Sequence, residues 1–152
     1  TENILIHGIG AQAQSTGSDP AEALLAFLAY IGKSPLVAYH AFFDQAMIAK
    51  ALRAYVGASI RQPWIDLAWI LPAFFAEHHG RGHLEYHAPA ALDDWLRLFA
   101  IENVMRHNAV SDAYATAQLL QMAIAAGQRG SAPTPGALCR IEKARRWMQQ
   151  SR

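Results

Sequence analysis

Two short segments of the 152-residue chain set a carboxylate a few positions after a histidine. In Leu36-Val37-Ala38-Tyr39-His40-Ala41-Phe42-Phe43-Asp44 an apolar run ends, the chain turns, and Asp44 opens the next helix. In Arg106-His107-Asn108-Ala109-Val110-Ser111-Asp112 a loop histidine precedes a helix-opening aspartate by five positions. Ligand sites of open α/β folds collect at the carboxyl ends of strands, and a carboxylate there can hold a hard cation such as Mg²⁺. An imidazole titrates near neutral pH and can take a proton from water. The plainer alternative is that Asp44 and Asp112 cap their helices while His107 sits on the surface. A third segment, from His78 to His87, gathers four histidines and Glu85, residue types that bind zinc. Gly80 and Gly82 break the register among His79, His83 and His87, so a loop without a tetrahedral site is the preferred reading there.

These residues need a scaffold, and the patterning supplies one. Asn3-Ile4-Leu5-Ile6 reads as an extended entry, and residues 10–19, rich in Gly, Ser, Gln and Ala, read as a loop. Asp19-Pro20 predicts a helix start, with Leu24, Leu25, Phe27, Leu28 and Ile31 at helical spacing and Gly32 as the stop. Residues 36–40 read as a buried, parallel strand, because a helix over 43–55 follows directly. Residues 63–66 read as a second short strand leading into 67–75. Helices are predicted over 90–99 and 112–126, with a loop at 103–111. Trp64, Trp69 and Trp95 lie among apolar residues and read as core. The order strand, helix, strand, then helices defines an α/β fold with few strands. Residues 1–128 form the domain, 129–135 a Gly/Ser/Pro linker, and 136–152 a final helix. That helix is basic on one side (Arg140, Lys143, Arg145, Arg146), which reads as a solvated face.

Composition narrows the class. Hydrophobic residues make up 53% and charged residues 16%, which excludes a disordered chain. Thirteen basic and twelve acidic residues leave a net charge of +1, so no broad field attracts nucleic acid; a nucleic-acid enzyme would meet phosphate charge locally, through metal ions. The single cysteine, Cys139, excludes an intramolecular disulfide and a multi-cysteine zinc site. Apolar runs are too short for a bilayer span, so a cytoplasmic protein without a membrane partner is expected.

The two histidine-aspartate segments, in this order, resemble the motifs of the DEDDh 3′–5′ exonucleases. That family includes the proofreading subunit of bacterial replicative DNA polymerases and ribonuclease T. Its second motif, an apolar strand followed by His-Asn-Ala-x-Phe-Asp, is similar to Tyr39-His40-Ala41-Phe42-Phe43-Asp44. Its third, His-x4-Asp-Ala, is similar to His107 through Asp112-Ala113, with Thr116-Ala117 beyond. Ile65-Asp66-Leu67 resembles the family's Asp-Thr-Leu. Leu92-Asp93-Asp94-Trp95-Leu96 with Phe99-Ala100-Ile101 resembles its Leu-x-x-Leu helix, and Ile6-His7-Gly8-Ile9 its His-Gly-Ile element. The resemblance covers about residues 6–126. Two departures stand out: Tyr39-His40 replaces His-Asn, and no Asp-x-Glu, the family's first motif, occurs in the chain. That motif lies on the first strand of a three-strand antiparallel unit upstream of the His-Gly-Ile element, so a copy lacking those strands would begin near Thr1.

The resemblance implies a ribonuclease H-like exonuclease fold, here missing its N-terminal antiparallel strands. It implies Mg²⁺ or Mn²⁺ as cofactor in a two-metal site, the ions about 4 Å apart. Asp112 and Asp44 would be the metal ligands, His107 the base that deprotonates the attacking water, and His7, His40 and Phe43 the substrate contacts. The substrate would be the 3′ end of single-stranded DNA or RNA, released as nucleoside monophosphates, with a DNA polymerase as partner in replication or repair. Two carboxylates alone would hold Mg²⁺ weakly, so the 152 residues are expected to be a poor nuclease. Without the first strands, an exposed sheet edge would pair with another copy of the chain. The alternative from another class is a non-catalytic exonuclease-like module that binds or scaffolds.

Overall fold

The computed structural model describes residues 8–75, 91–103, 105, 107–127 and 133–151. His7, the 3–6 entry and the 78–87 histidine segment lie outside the described residues. The first helix among the described residues, α1 (Ala11–Ser15), has five residues and stands where a loop was expected. Its bonds are local, such as Gln14 N–H to Gly10 C=O at 3.1 Å, and every side chain is exposed. Apolar periodicity cannot reveal a helix that buries nothing. Helix α2 (Pro20–Ile31) starts as its sequence predicts: the Asp19 carboxylate accepts from Ala21 N–H at 2.9 Å and Glu22 N–H at 3.1 Å, and Pro20 takes the first position. Gly32, at φ 50°, closes it.

Strand β1 (Leu36–Ala38), helix α3 (Ala41–Tyr55) and strand β2 (Trp64–Asp66) form a parallel βαβ unit with Leu36 opposite Trp64, Val37 opposite Ile65 and Ala38 opposite Asp66. Tyr39 and His40, expected at the end of the strand, form the turn instead. Among the described residues these two strands are the whole sheet. The α/β character expected from sequence is present in helix-rich form.

Helix α4 (Leu67–Phe75) follows β2 without a loop and buries Leu67, Ile70, Leu71 and Phe75. That face holds it together although Pro72 removes one internal hydrogen bond. Helix α5 (Leu92–Leu98) delivers Trp95, 1% exposed, against Phe75 and Phe99; the Phe75–Phe99 centroids are 4.7 Å apart, edge to face. Helix α6 (Ala109–Gly127) packs Ala115, Leu119 and Ala123 onto α4. Helix α7 (Pro135–Gln150) packs on α4 and β2 and puts Leu138 into the same core. Small residues let α6 approach: a Cβ on Gly127 would come within 2.9 Å of Pro133 Cγ and 3.0 Å of Phe74 Cε1.

Candidate metal-binding cleft

The turn after β1 is the first determinant of the site. His40 adopts the left-handed conformation (φ 60°, ψ 49°) and forms the N-cap of α3, although its side chain makes no capping bond. Histidine is one of the residues enriched in this region of backbone space. The His40 N–H donates to Asp66 Oδ1 at 2.9 Å. Because α3 begins at Ala41, Asp44 is its fourth residue, one turn in, and does not cap it.

Helix α6 repeats the arrangement. It begins at Ala109, earlier than expected, because Asn108 is its cap: Asn108 Oδ1 accepts from Val110 N–H and Ser111 N–H, both at 3.1 Å. Asp112 is again the fourth residue, its N–H bonded to Asn108 C=O at 2.9 Å. Asn103 Nδ2 donates to Asp112 Oδ1 at 2.7 Å, and Ser111 Oγ donates to Asn103 Oδ1 at 2.5 Å. The Asp112 carboxylate is thus oriented by a short polar chain.

Both aspartates line one cleft of about 710 Å³ beside β1, together with His40. Its apolar wall includes Val37, Ile48, Trp64 and Leu120, and Thr116 and Ala113 add the α6 side. Burial pushes the Asp44 carboxyl above its ordinary value; the backbone N–H of Asp44 itself pulls down, and the charge of Asp66 pushes up again. No cationic side chain pairs with Asp44 among the described residues. The helix N-termini favour negative charge at both aspartates.

The other candidates stand outside that wall. His107, with φ 66°, is exposed in the turn just before Asn108 and is not part of the cleft lining. Phe43, 68% exposed, flanks Asp44 on the solvent side. Tyr39 does line the cleft, and its hydroxyl is pushed up to about 12, first by burial and then by the Asp66 and Asp94 charges. The Trp95 indole N–H pulls that value the other way, although it falls short of full hydrogen-bond geometry.

Two carboxylates line one cleft, one of them half-buried and without a cationic partner among the described residues, and carboxylate oxygens are the donor type a hydrated divalent ion takes. They do not make up a two-ion cluster: among the described residues no three His, Cys, Asp or Glu side chains gather as metal ligands.

Sequence reasoning missed Asp66 and Asn103 as parts of this site. Asp66 is 3% exposed at the end of β2, and its carboxylate accepts from the His40 and Ala68 N–H groups and from Arg146. The signals were a carboxylate closing an apolar strand and the resemblance of Ile65-Asp66-Leu67 to the family's Asp-Thr-Leu, and neither gave it a role. Asn103 carried none, since an asparagine in a loop is unremarkable by type.

A parallel βαβ unit whose flanking helices bring two aspartates to one cleft is an α/β arrangement. The exonuclease family model, of ribonuclease T type, matches residues 1–120, and the chain belongs to this DEDDh-type family. Membership implies a ribonuclease H-like fold and a nucleic acid as what the family acts on. No curated protein matches the chain. No helix of the described residues is long and apolar enough to cross a membrane. Helix α7 lies beyond the matched residues.

Proposed function

We propose that the chain carries the cleft of a metal-dependent 3′–5′ exonuclease that releases nucleoside monophosphates from single-stranded DNA or RNA. The observation that supports this best is the meeting of Asp44 and Asp112 in one cleft of a chain that matches the exonuclease family. Asp44 and Asp112 would hold Mg²⁺ or Mn²⁺. The ion would supply charge stabilisation to the phosphodiester and acidify water. His107 takes the proton from the attacking water; the water oxygen bonds to phosphorus, and the bond to the 3′ oxygen breaks. A turn of His107 toward the cleft is needed for this, since its ring stands off the wall. His40, Phe43 and His7 contact the terminal nucleotide, Phe43 through its exposed ring. The apolar wall keeps water from Asp44 once a nucleotide fills the cleft.

With only these carboxylates the 152 residues hold the ion weakly and hydrolyse slowly. A partner, whether a polymerase or a second copy of the chain, would complete the sheet. The second reading, a non-catalytic binding module, is favoured by two facts: no Asp-x-Glu occurs in the sequence, and His107 lies off the wall. The deciding experiment is hydrolysis of end-labelled single-stranded DNA and RNA with and without Mn²⁺, using the chain and its Asp112→Asn form. Mn²⁺-dependent mononucleotide release that Asp112→Asn abolishes supports the enzyme. Strand binding with no release in either form supports the module.

A further inference from the structure

Helix α7 follows the matched residues, yet its polar face is tied to the turn that carries Asp44. Asp66 is the link. Its buried carboxylate uses Oδ1 to accept from His40 N–H at 2.9 Å and Ala68 N–H at 3.0 Å, and Oδ2 to meet Arg146 Nη2 at 3.2 Å. The Asp66 N–H donates to Glu142 Oε2 at 3.0 Å, and Glu142 Oε1 accepts from Arg146 Nε at 2.9 Å. The Arg146 guanidinium also lies 4.9 Å from the centre of the Trp69 ring. One arginine therefore neutralises two acids and spans α7, β2 and α4.

We propose that Arg146 and Asp66 are positioning residues, and that α7 is a strut that holds the His40 turn and hence the cation-facing side of Asp44. The inference rests on the reading of Asp44 as a cation ligand. His40 is held in a left-handed conformation that L-residues adopt at a cost, so something must hold it there. The bond from its N–H to Asp66, 26 positions on, ties the turn to the end of β2. A buried carboxylate remains a good acceptor only while its charge is compensated. Arg146 is the only cationic side chain that meets Asp66 among the described residues. Removing it leaves the buried Asp66 carboxylate without its counter-charge, and the rearrangement that follows loosens the acceptor that fixes His40. Asp44, one turn further on, then loses its place opposite Asp112.

The test uses the whole 152-residue chain with Arg146→Ala, Arg146→Lys and, as a control, Leu138→Ala, which weakens α7 packing without touching the network. Mn²⁺ affinity is read by electron paramagnetic resonance, and His40 amide exchange by NMR. Arg146→Ala should weaken Mn²⁺ binding by roughly 10–100-fold, as loss of an outer partner of a metal ligand does, and speed His40 exchange. Arg146→Lys should restore part of both. Leu138→Ala should lower the melting temperature and leave Mn²⁺ affinity near that of the parent chain. If Arg146→Ala does not fold, Glu142→Gln removes one charge from the same network and should show smaller shifts in the same direction. A folded Arg146→Ala chain with parental Mn²⁺ affinity and parental His40 protection would overturn the proposal. If the parent chain binds no Mn²⁺, the reading of Asp44 as a ligand fails, while His40 exchange in the variants still decides whether the strut exists.

Discussion

Asp44 is ionised at neutral pH at a cost, because burial and the Asp66 charge both favour its protonated form. Its folded-state pKa lies above the ordinary 3.8, so the folded chain binds more protons than the unfolded chain between those two values. Stability from this group is therefore full below 3.8 and is lost as pH rises through the raised value. Asp44→Asn should make the metal-free chain more stable than its parent at pH 7, with the difference gone below about pH 4. Urea melts of both forms across pH check this; equal stability at pH 7 would mean that Asp44 carries no such cost. Adding Mn²⁺ should raise the melting temperature of the parent and not of Asp44→Asn, by ligand linkage. At the same scale, His107→Ala should lower any Mn²⁺-dependent turnover by about 10²–10⁴-fold, as loss of a general base does. An unchanged pH–rate profile in that variant would remove His107 from the proposed role. Tyr39 behaves oppositely to a switch: with its hydroxyl pushed up to about 12 it stays neutral, and Tyr39→Phe should lessen the loss of stability between pH 10 and 12. The aspartates at 44 and 112 stood out through the resemblance of their paired segments to the family's motifs, since an aspartate opening a helix is by itself a common cap. Asp66 did not, because its meaning lies in Glu142 and Arg146, 76 and 80 positions away.

Caps and close approaches fix the elements that hold these residues. Asn108 is the clearest case, since its side chain satisfies two backbone donors of α6 and so sets which residue of the first turn faces the cleft. Asn108→Ala should cost about 1 kcal/mol, the usual loss for a cap, read as a lower urea midpoint. It should also weaken Mn²⁺ binding, because Asp112 rides on the frayed turn. Gly127→Ala tests the α6–α7 connection. Its new Cβ would press on Pro133 and Phe74, and overpacking of this kind costs about 1–3 kcal/mol. Sequence patterning located the helices from 20, 43, 67, 90 and 112 to within a few residues because each has a buried face. It misplaced the start of α6 because Asn108 and Asp112 are both good caps by type, and it is Asn108 whose side chain takes the free backbone donors of the first turn. It placed Tyr39 and His40 in β1 because an apolar run does not show where pairing with β2 stops, at Ala38 opposite Asp66.

At the scale of the molecule, the sheet is the element with most left to satisfy. Strand β1 is paired on one side by β2, and among the described residues no strand pairs its other edge. Leu36, Val37 and Ala38 are only half-buried, in a strand whose apolar sequence predicted full burial. Phe42 and Phe43, 76% and 68% exposed, and Met47 extend the apolar surface along α3. An unpaired edge presents a row of backbone donors and acceptors that another strand can match, and a contiguous apolar flank favours the same association. The 152-residue chain should therefore sediment as dimers or larger species at micromolar concentration. Val37→Lys, a charge on the edge strand, should shift it toward monomer if it folds, and Phe42→Ser does the same from the α3 flank if it does not. A monodisperse monomer that unfolds in one cooperative step would show that two strands suffice, and that the cleft is already as complete as the sheet beneath it.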